Sequence, residues 1–148
     1  MIQKRNMRVL IVEDEPGDER LMQLALRESG LAIDLRGASD GRQALRFLRR
    51  ETALFRHAPR PDLILLDLKM PDQNGLEFLR AMKQDERLRA IPVVVITTST
   101  LAADVLASYQ CGAVGYVQKP TDINEFKAAI RKLCHYWFSL VWLPRDPE

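Results

Sequence analysis

Residues 63–67 read Leu63-Ile64-Leu65-Leu66-Asp67, and Lys69-Met70-Pro71-Asp72-Gln73-Asn74-Gly75 follow shortly after. An unbroken apolar run of this length suits a strand buried on both faces of a parallel sheet. The run ends on a carboxylate. In doubly wound α/β sheets ligands bind at that end of the strand, and a charge there is costly unless something pairs with it. Asp67 therefore marks both the fold and a candidate site.

Outward from this run, apolar stretches alternate with amphipathic ones. Arg8–Val12 reads as a first strand. Pro16 then opens a helix, where its missing N–H does no harm, and Leu21, Leu24, Ala25 and Glu28 follow at helical spacing up to Gly30. Ala32–Gly37 reads as a second strand nearer an edge, because Asp34 and Arg36 interrupt it. Asp40 can cap a second helix carrying Ala44, Leu45 and Leu48 on one face. A loop from Thr52 to Arg60 leads to the strand Asp62–Leu66. Asn74 can cap a third helix that buries Leu76, Leu79 and Met82. Strand four is Val93–Ile96, helix four Leu101–Gln110, and strand five Val114–Val117. Helix five opens at Thr121-Asp122 and runs through Phe126, Ile130, Leu133 and Trp137. Five strand–helix units predict an α/β fold with a doubly wound, five-stranded parallel sheet and five helices. We expect one domain over residues 1–148, its core at about 8–133, followed by an apolar tail over 134–148 and no output domain.

The 148 residues carry 22 basic and 20 acidic side chains, a net charge of +2 that is no nucleic-acid signature. Arg46, Arg49, Arg50, Arg56 and Arg60 gather in one region, but no nucleic-acid motif accompanies them. They read as solvated surface or partner contacts. No segment approaches the roughly 18 apolar residues of a membrane helix, and the first residues lack a signal-peptide pattern. Cys111 and Cys134 are too few and too far apart for a disulfide framework or zinc site. Two buried thiols in a reducing compartment are the expectation, and hence a cytoplasmic location.

Four strand ends carry polar groups. Strand one ends in Glu13-Asp14-Glu15, strand three in Asp67, strand four in Thr97-Thr98-Ser99, and strand five in Lys119-Pro120. Right-handed parallel connections bring these ends to one edge of the sheet. Close carboxylates at Glu13, Asp14 and Asp67 would repel one another. A hard divalent cation such as Mg²⁺ relieves this while keeping several of its waters. It also lets a carboxylate approach a phosphoryl group. Lys119 offers a point charge for a phosphate oxygen and Thr97 a hydroxyl donor.

With these residues in order, the chain resembles a receiver domain of two-component response regulators over about residues 8–133. The resemblance rests on Glu13-Asp14, the segment from Asp67 to Gly75, Thr97, Tyr116 and Lys119-Pro120. It implies a flavodoxin-like receiver fold with strand order 2-1-3-4-5. It implies that Asp67 is phosphorylated by a sensor histidine kinase. Asp14 and Asp67, with the backbone carbonyl of Lys69, would hold Mg²⁺, and Glu13 would act through water. Thr97 and Lys119 would contact the phosphoryl group. The Lys119-Pro120 bond would be cis. Thr97 and Tyr116 would switch on phosphorylation and remodel helix four, strand five and helix five. Tyr116 is also compatible with a static core aromatic.

A phosphatase of the haloacid dehalogenase type also uses an aspartate, Mg²⁺, a threonine and a lysine. It places a second aspartate, its general acid, where this chain has Lys69. A pseudo-receiver that only binds partners is opposed by the intact Asp14, Asp67 and Lys119. A stand-alone regulator that relays phosphate or acts as its sink remains an alternative to one with its own downstream target. Lys69 and Ser99 would flank the phosphoryl site and steer its hydrolysis. Tyr136, Trp137, Phe138, Leu140, Val141, Trp142 and Leu143 surround more than one face of the last helix. Either the tail folds back on its own domain, or Tyr109, Tyr136, Trp137, Phe138, Val141 and Trp142 serve a symmetric homodimer. The loop before Pro61, the Thr97-Thr98-Ser99 triplet and the Trp-Leu-Pro ending resemble single-domain receivers that accompany bacterial phytochrome kinases. The resemblance thus makes a bacteriophytochrome the candidate kinase, with no nucleic-acid or membrane partner.

Overall fold

The computed structural model describes residues 6–70 and 74–144. Pro71, Asp72 and Gln73 of the loop after Asp67, and the last residues of the tail, lie outside the described residues. The strands are β1 (Met7–Val12), β2 (Ile33–Ala38), β3 (Leu63–Leu66), β4 (Val93–Thr97) and β5 (Gly115–Gln118). They form one parallel sheet in the order β2-β1-β3-β4-β5. The helices are α1 (Pro16–Arg27), α2 (Gly41–Arg49), α3 (Gly75–Gln84), α4 (Ala102–Gln110) and α5 (Ile123–His135). A 3-10 turn, Ala53–Phe55, orders the loop before β3. Among the described residues no helix is long and apolar enough to cross a membrane.

Strand side chains alternate between two apolar layers, as the strand period of two requires. Leu10, Val12, Ile64, Leu66, Val93 and Val95 face α2 and α3 through Ala44, Leu45, Phe47, Phe78, Leu79 and Met82. Val9, Ile11, Leu63, Leu65, Val94 and Ile96 face α1 and α5 through Met22, Leu26, Phe126, Ile130 and Cys134. All four residues of β3 are buried, so the opening run is the centre of the sheet. The expected caps are present. Asp40, Asn74 and Asp122 each accept from an amide three residues on, at 2.8, 2.9 and 2.9 Å.

The arginines near α2 act partly as staples between loops. Arg49 pairs with Asp85 at 3.4 Å, Arg50 donates to the Ala58 carbonyl at 2.8 Å, and Arg60 donates to the Arg87 carbonyl. Cys134 is fully buried, and burial pushes its thiol up to about 12. Cys111 is only half-buried, contrary to the expectation of two buried thiols.

The last helix ends differently from the sequence expectation. α5 stops at His135 and widens into a π turn over Tyr136–Leu140, where the Val141 amide donates to the Tyr136 carbonyl at 3.2 Å. Phe138 leaves the expected dimer surface. It continues the four-residue spacing of Phe126, Ile130 and Cys134, and it lies in the α1–α5 core at 2% exposure. Trp137 is half-buried against the same core, and Leu143 folds back into it. Part of the tail therefore packs on its own chain. Tyr136, Leu140 and Trp142 remain exposed at 51%, 71% and 63%.

Candidate functional site

Strand register builds the site. β1 pairs with β3 so that Val12 lies beside Leu66, and the Asp67 amide donates to the Val12 carbonyl at 3.0 Å. Glu13 and Asp14, the next residues along β1, thereby stand beside Asp67. Reactive oxygens of Glu13, Asp14 and Asp67 all lie within 4.8 Å of one another. β4 and β5 pair Thr97 with Gln118, and the Lys119 amide donates to the Thr97 carbonyl at 2.7 Å. Thus Lys119 leaves the sheet at the same edge.

Gly75 closes the loop beyond Asp67. Its amide donates to the Leu68 carbonyl at 2.8 Å. A Cβ added there would lie 2.8 Å from both the Asp67 carbonyl oxygen and Leu68 Cα. Only glycine allows this approach of the α3 start to the acidic strand end.

Lys119 Nζ sits 2.5 Å from Glu13 Oε1, 2.8 Å from Asp18 Oδ2 and 3.5 Å from Asp67 Oδ2. Glu13, Asp67 and Lys119 are buried, whereas Asp14 is exposed. The Glu13 carboxyl is pushed up to about 8, by burial first and then by Asp67 beside it, with Lys119 pulling it the other way. Burial alone would lower the Lys119 ammonium. Its hydrogen bonds to Asp18 and Glu13, and the charges of Glu13 and Asp67, raise it instead. One ammonium among four carboxylates leaves a deficit of positive charge. This donor set of hard, converging oxygens fits a divalent cation.

Lys69 contributes its amide to Asp67 Oδ1 at 3.3 Å, and its side chain is exposed. Thr97 is fully buried, with its hydroxyl 3.5 Å from the Ser99 amide. Ser99 differs from the expectation that it steers an attacking water. Its hydroxyl donates to Asp104 Oδ2 at 2.5 Å and accepts from the Leu101 amide at 3.3 Å, so it is spent on the β4–α4 loop. The Tyr116 hydroxyl donates to the Ser99 carbonyl at 2.9 Å. Burial raises its pKa, the nearby Ser99 side chain opposes this, and the Asp104 charge adds to it. The tyrosine thus ties β5 to the same loop.

The Lys119-Pro120 bond corrects the cis expectation, because no cis peptide occurs among the described residues. Trans is the lower-energy form of an X–Pro bond by a modest margin, and Lys119 reaches the carboxylates without the cis bend. Asp18 is the residue that sequence reading missed. It lies in the first turn of α1, where the helix dipole already accounts for an acid.

With this geometry in place, comparison with known proteins is direct. Residues 9–131 match the model of the response regulator receiver domain. The chain is 38% identical over 136 residues to response regulator Rcp1 of Synechocystis, covering 92% of each chain. The crystal structure of the phosphorylated cyanobacterial phytochrome response regulator RcpA superposes with a TM-score of 0.91. It is 35% identical, and the match covers 95% of this chain and 100% of that one. The Mn(2+)-bound form of response regulator Rcp1 gives a TM-score of 0.87 at 37% identity, covering 94% and 99%. A buried aspartate ending the central strand, with carboxylates from β1 and a lysine from β5 around it, agrees with a match that spans the whole sheet, and the chain belongs to the response regulator receiver family.

Proposed function

We propose that this chain is a phosphoacceptor of a two-component pathway, with Asp67 taking a phosphoryl group from a phosphohistidine of a sensor kinase. The observation that carries the reading is the meeting of buried Glu13, Asp67 and Lys119 with exposed Asp14, from three strand ends, at one edge of the sheet. An Asp67 carboxylate oxygen forms the new P–O bond as the P–N bond to the imidazole breaks, and the imidazole nitrogen keeps the electron pair. Lys119 offsets charge on the phosphoryl oxygens. Thr97 donates its hydroxyl to them once it turns from Ser99. Glu13, Asp14 and Asp67, with the Lys69 backbone, are the residues to hold Mg²⁺. When bound, that ion supplies neutralisation of the carboxylate and phosphoryl charge.

The readout surface is α4–β5–α5. Tyr116 couples it to the site through Ser99. β5 is only half-buried, Leu106 and Tyr109 expose large apolar area on α4, and Leu140 and Trp142 do so beyond α5. A second copy of the chain covering this face as a symmetric homodimer fits that exposure. The likeness to a phytochrome response regulator supports a phytochrome-type histidine kinase as the donor.

Incubation with acetyl phosphate and Mg²⁺, followed by intact mass measurement, tests the central claim. Wild type gains the mass of one phosphoryl group and Asp67→Asn gains none. An unmodified wild type overturns the reading, and continuous phosphate release without a modified protein favours a phosphatase instead.

A further inference from the structure

Lys119 is shared unequally among its carboxylates. Asp18 Oδ2 lies 2.8 Å from Nζ and Asp67 Oδ2 lies 3.5 Å away. The residue best placed to serve the phosphoryl acceptor is therefore held more closely by the first turn of α1 than by Asp67. Glu13 stands at 2.5 Å and is fully buried within the sheet edge, so it is a fixed partner. Asp18 is different. Its side chain is 31% exposed, and it comes from a helix that precedes β2, not from a strand end. It can let go of Lys119 and be solvated, which Glu13 cannot do.

We propose that Asp18 is a positioning residue that holds Lys119 off Asp67 until a phosphoryl group arrives. This rests on the receiver reading above. A phosphoryl group on Asp67 brings close to two negative charges and three strong acceptor oxygens. Lys119 then exchanges the Asp18 carboxylate for a phosphoryl oxygen. No covalent bond changes in that step; one ion pair replaces another. Asp18 turns to solvent, and the first turn of α1 loses its tie to the end of β5. A cleft of about 260 Å³ lies there, lined by Asp18, Leu21, Lys119, Pro120, Ile123 and Phe126. The exchange therefore changes the charge and the α1 contact of that cleft without any movement of α4.

The test compares wild type with Asp18→Asn, Asp18→Ser and Asp18→Glu, using acetyl phosphate and Mg²⁺ with intact mass as the rate readout. The ¹⁵N signal of the Lys119 side chain reports the ion pair itself. Both neutral variants are expected to gain the phosphoryl group about two- to fivefold faster, the range set by a partly exposed ion pair. Asp18→Glu restores a rate near wild type. In the neutral variants the Lys119 signal moves before phosphorylation toward its position in phosphorylated wild type. A structural tie alone would lower stability, shift that signal without bringing it toward its phosphorylated position, and leave the rate order unchanged. Neutral variants with an unaltered or slower rate, or a Lys119 signal that does not move, overturn the proposal while phosphorylated wild type leaves the receiver reading standing. Wild type that takes up no phosphoryl group overturns both.

Discussion

Phe138→Ala lowers the stability of the fold by about 3–5 kcal/mol, the cost of deleting a fully buried aromatic side chain. Phe138 is 2% exposed in the layer built by Met22, Leu26, Phe126, Ile130 and Cys134. Alanine there leaves a cavity in that layer, beneath the π turn of Tyr136–Leu140. Trp142→Ala, four residues on, behaves in the opposite way. Trp142 is 63% exposed, so its removal changes stability by no more than about 0.5 kcal/mol. Under the proposed homodimer its effect falls on association, and light scattering is expected to find wild type as a dimer at micromolar concentration and Trp142→Ala shifted toward monomer. Urea denaturation separates the two roles. A Phe138→Ala cost under about 1 kcal/mol removes Phe138 from the core. A monomeric wild type removes the dimer.

The contrast between these two residues shows what the sequence made legible. Ile130, Cys134 and Phe138 follow Phe126 at steps of four, a spacing that places them on one helix face. That signal was there to place Phe138 in the core, although the residue read as part of a dimer surface. It was masked because seven apolar residues crowd positions 136–143 and a helical wheel there has no polar side. Backbone widening into a π turn then shifts the residues that follow, and no residue type announces such a turn. Leu140 and Trp142 could not be separated from Leu143 by pattern alone.

The sheet was legible for the converse reason. A run of four buried residues in β3 leaves no other packing than between two layers, and Asp34 and Arg36 marked β2 as an edge. Asp40, Asn74 and Asp122 were readable as caps because a cap is a local bond, three residues long. Glu13, Asp14, Asp67, Thr97 and Lys119 were readable because polar groups at the ends of apolar strands have few structural reasons to be there. Asp18 carried no such signal. An acid in the first turn of a helix is ordinary, and its partner is 101 residues away. The Lys119-Pro120 isomer was equally closed to inspection, since the two forms differ by about 1 kcal/mol and tertiary context chooses between them.

Lys119→Met is the second large effect, and it lies in the site itself. The Lys119, Glu13 and Asp67 side chains are 6%, 0% and 9% exposed. Without the ammonium, the Asp67 carboxylate and the Glu13 carboxyl stay buried side by side with no cation between them. Removing one partner of such a buried network costs about 3 kcal/mol or more. Glu13 already registers the pressure, since burial and Asp67 hold its carboxyl up at about 8 even with Lys119 in place. In Mg²⁺-free buffer the variant is expected to melt well below wild type. Above about pH 8, where Glu13 ionises, adding Glu13→Gln recovers much of the loss because the uncompensated charge is gone, whereas at neutral pH the protonated Glu13 leaves little to recover. Mg²⁺ is expected to raise the melting temperature of Lys119→Met more than that of wild type, since Lys119 no longer competes for the same oxygens. A variant that melts like wild type without Mg²⁺, or that gains no more from Mg²⁺, contradicts this network. The sign of that comparison bears on function. Lys119 stabilises the fold by occupying carboxylates that a cation and a phosphoryl group also need. In the proposed reaction each step toward phosphorylation draws the ammonium away from an existing partner, so a site built this way holds its fold most firmly when it is least ready to react.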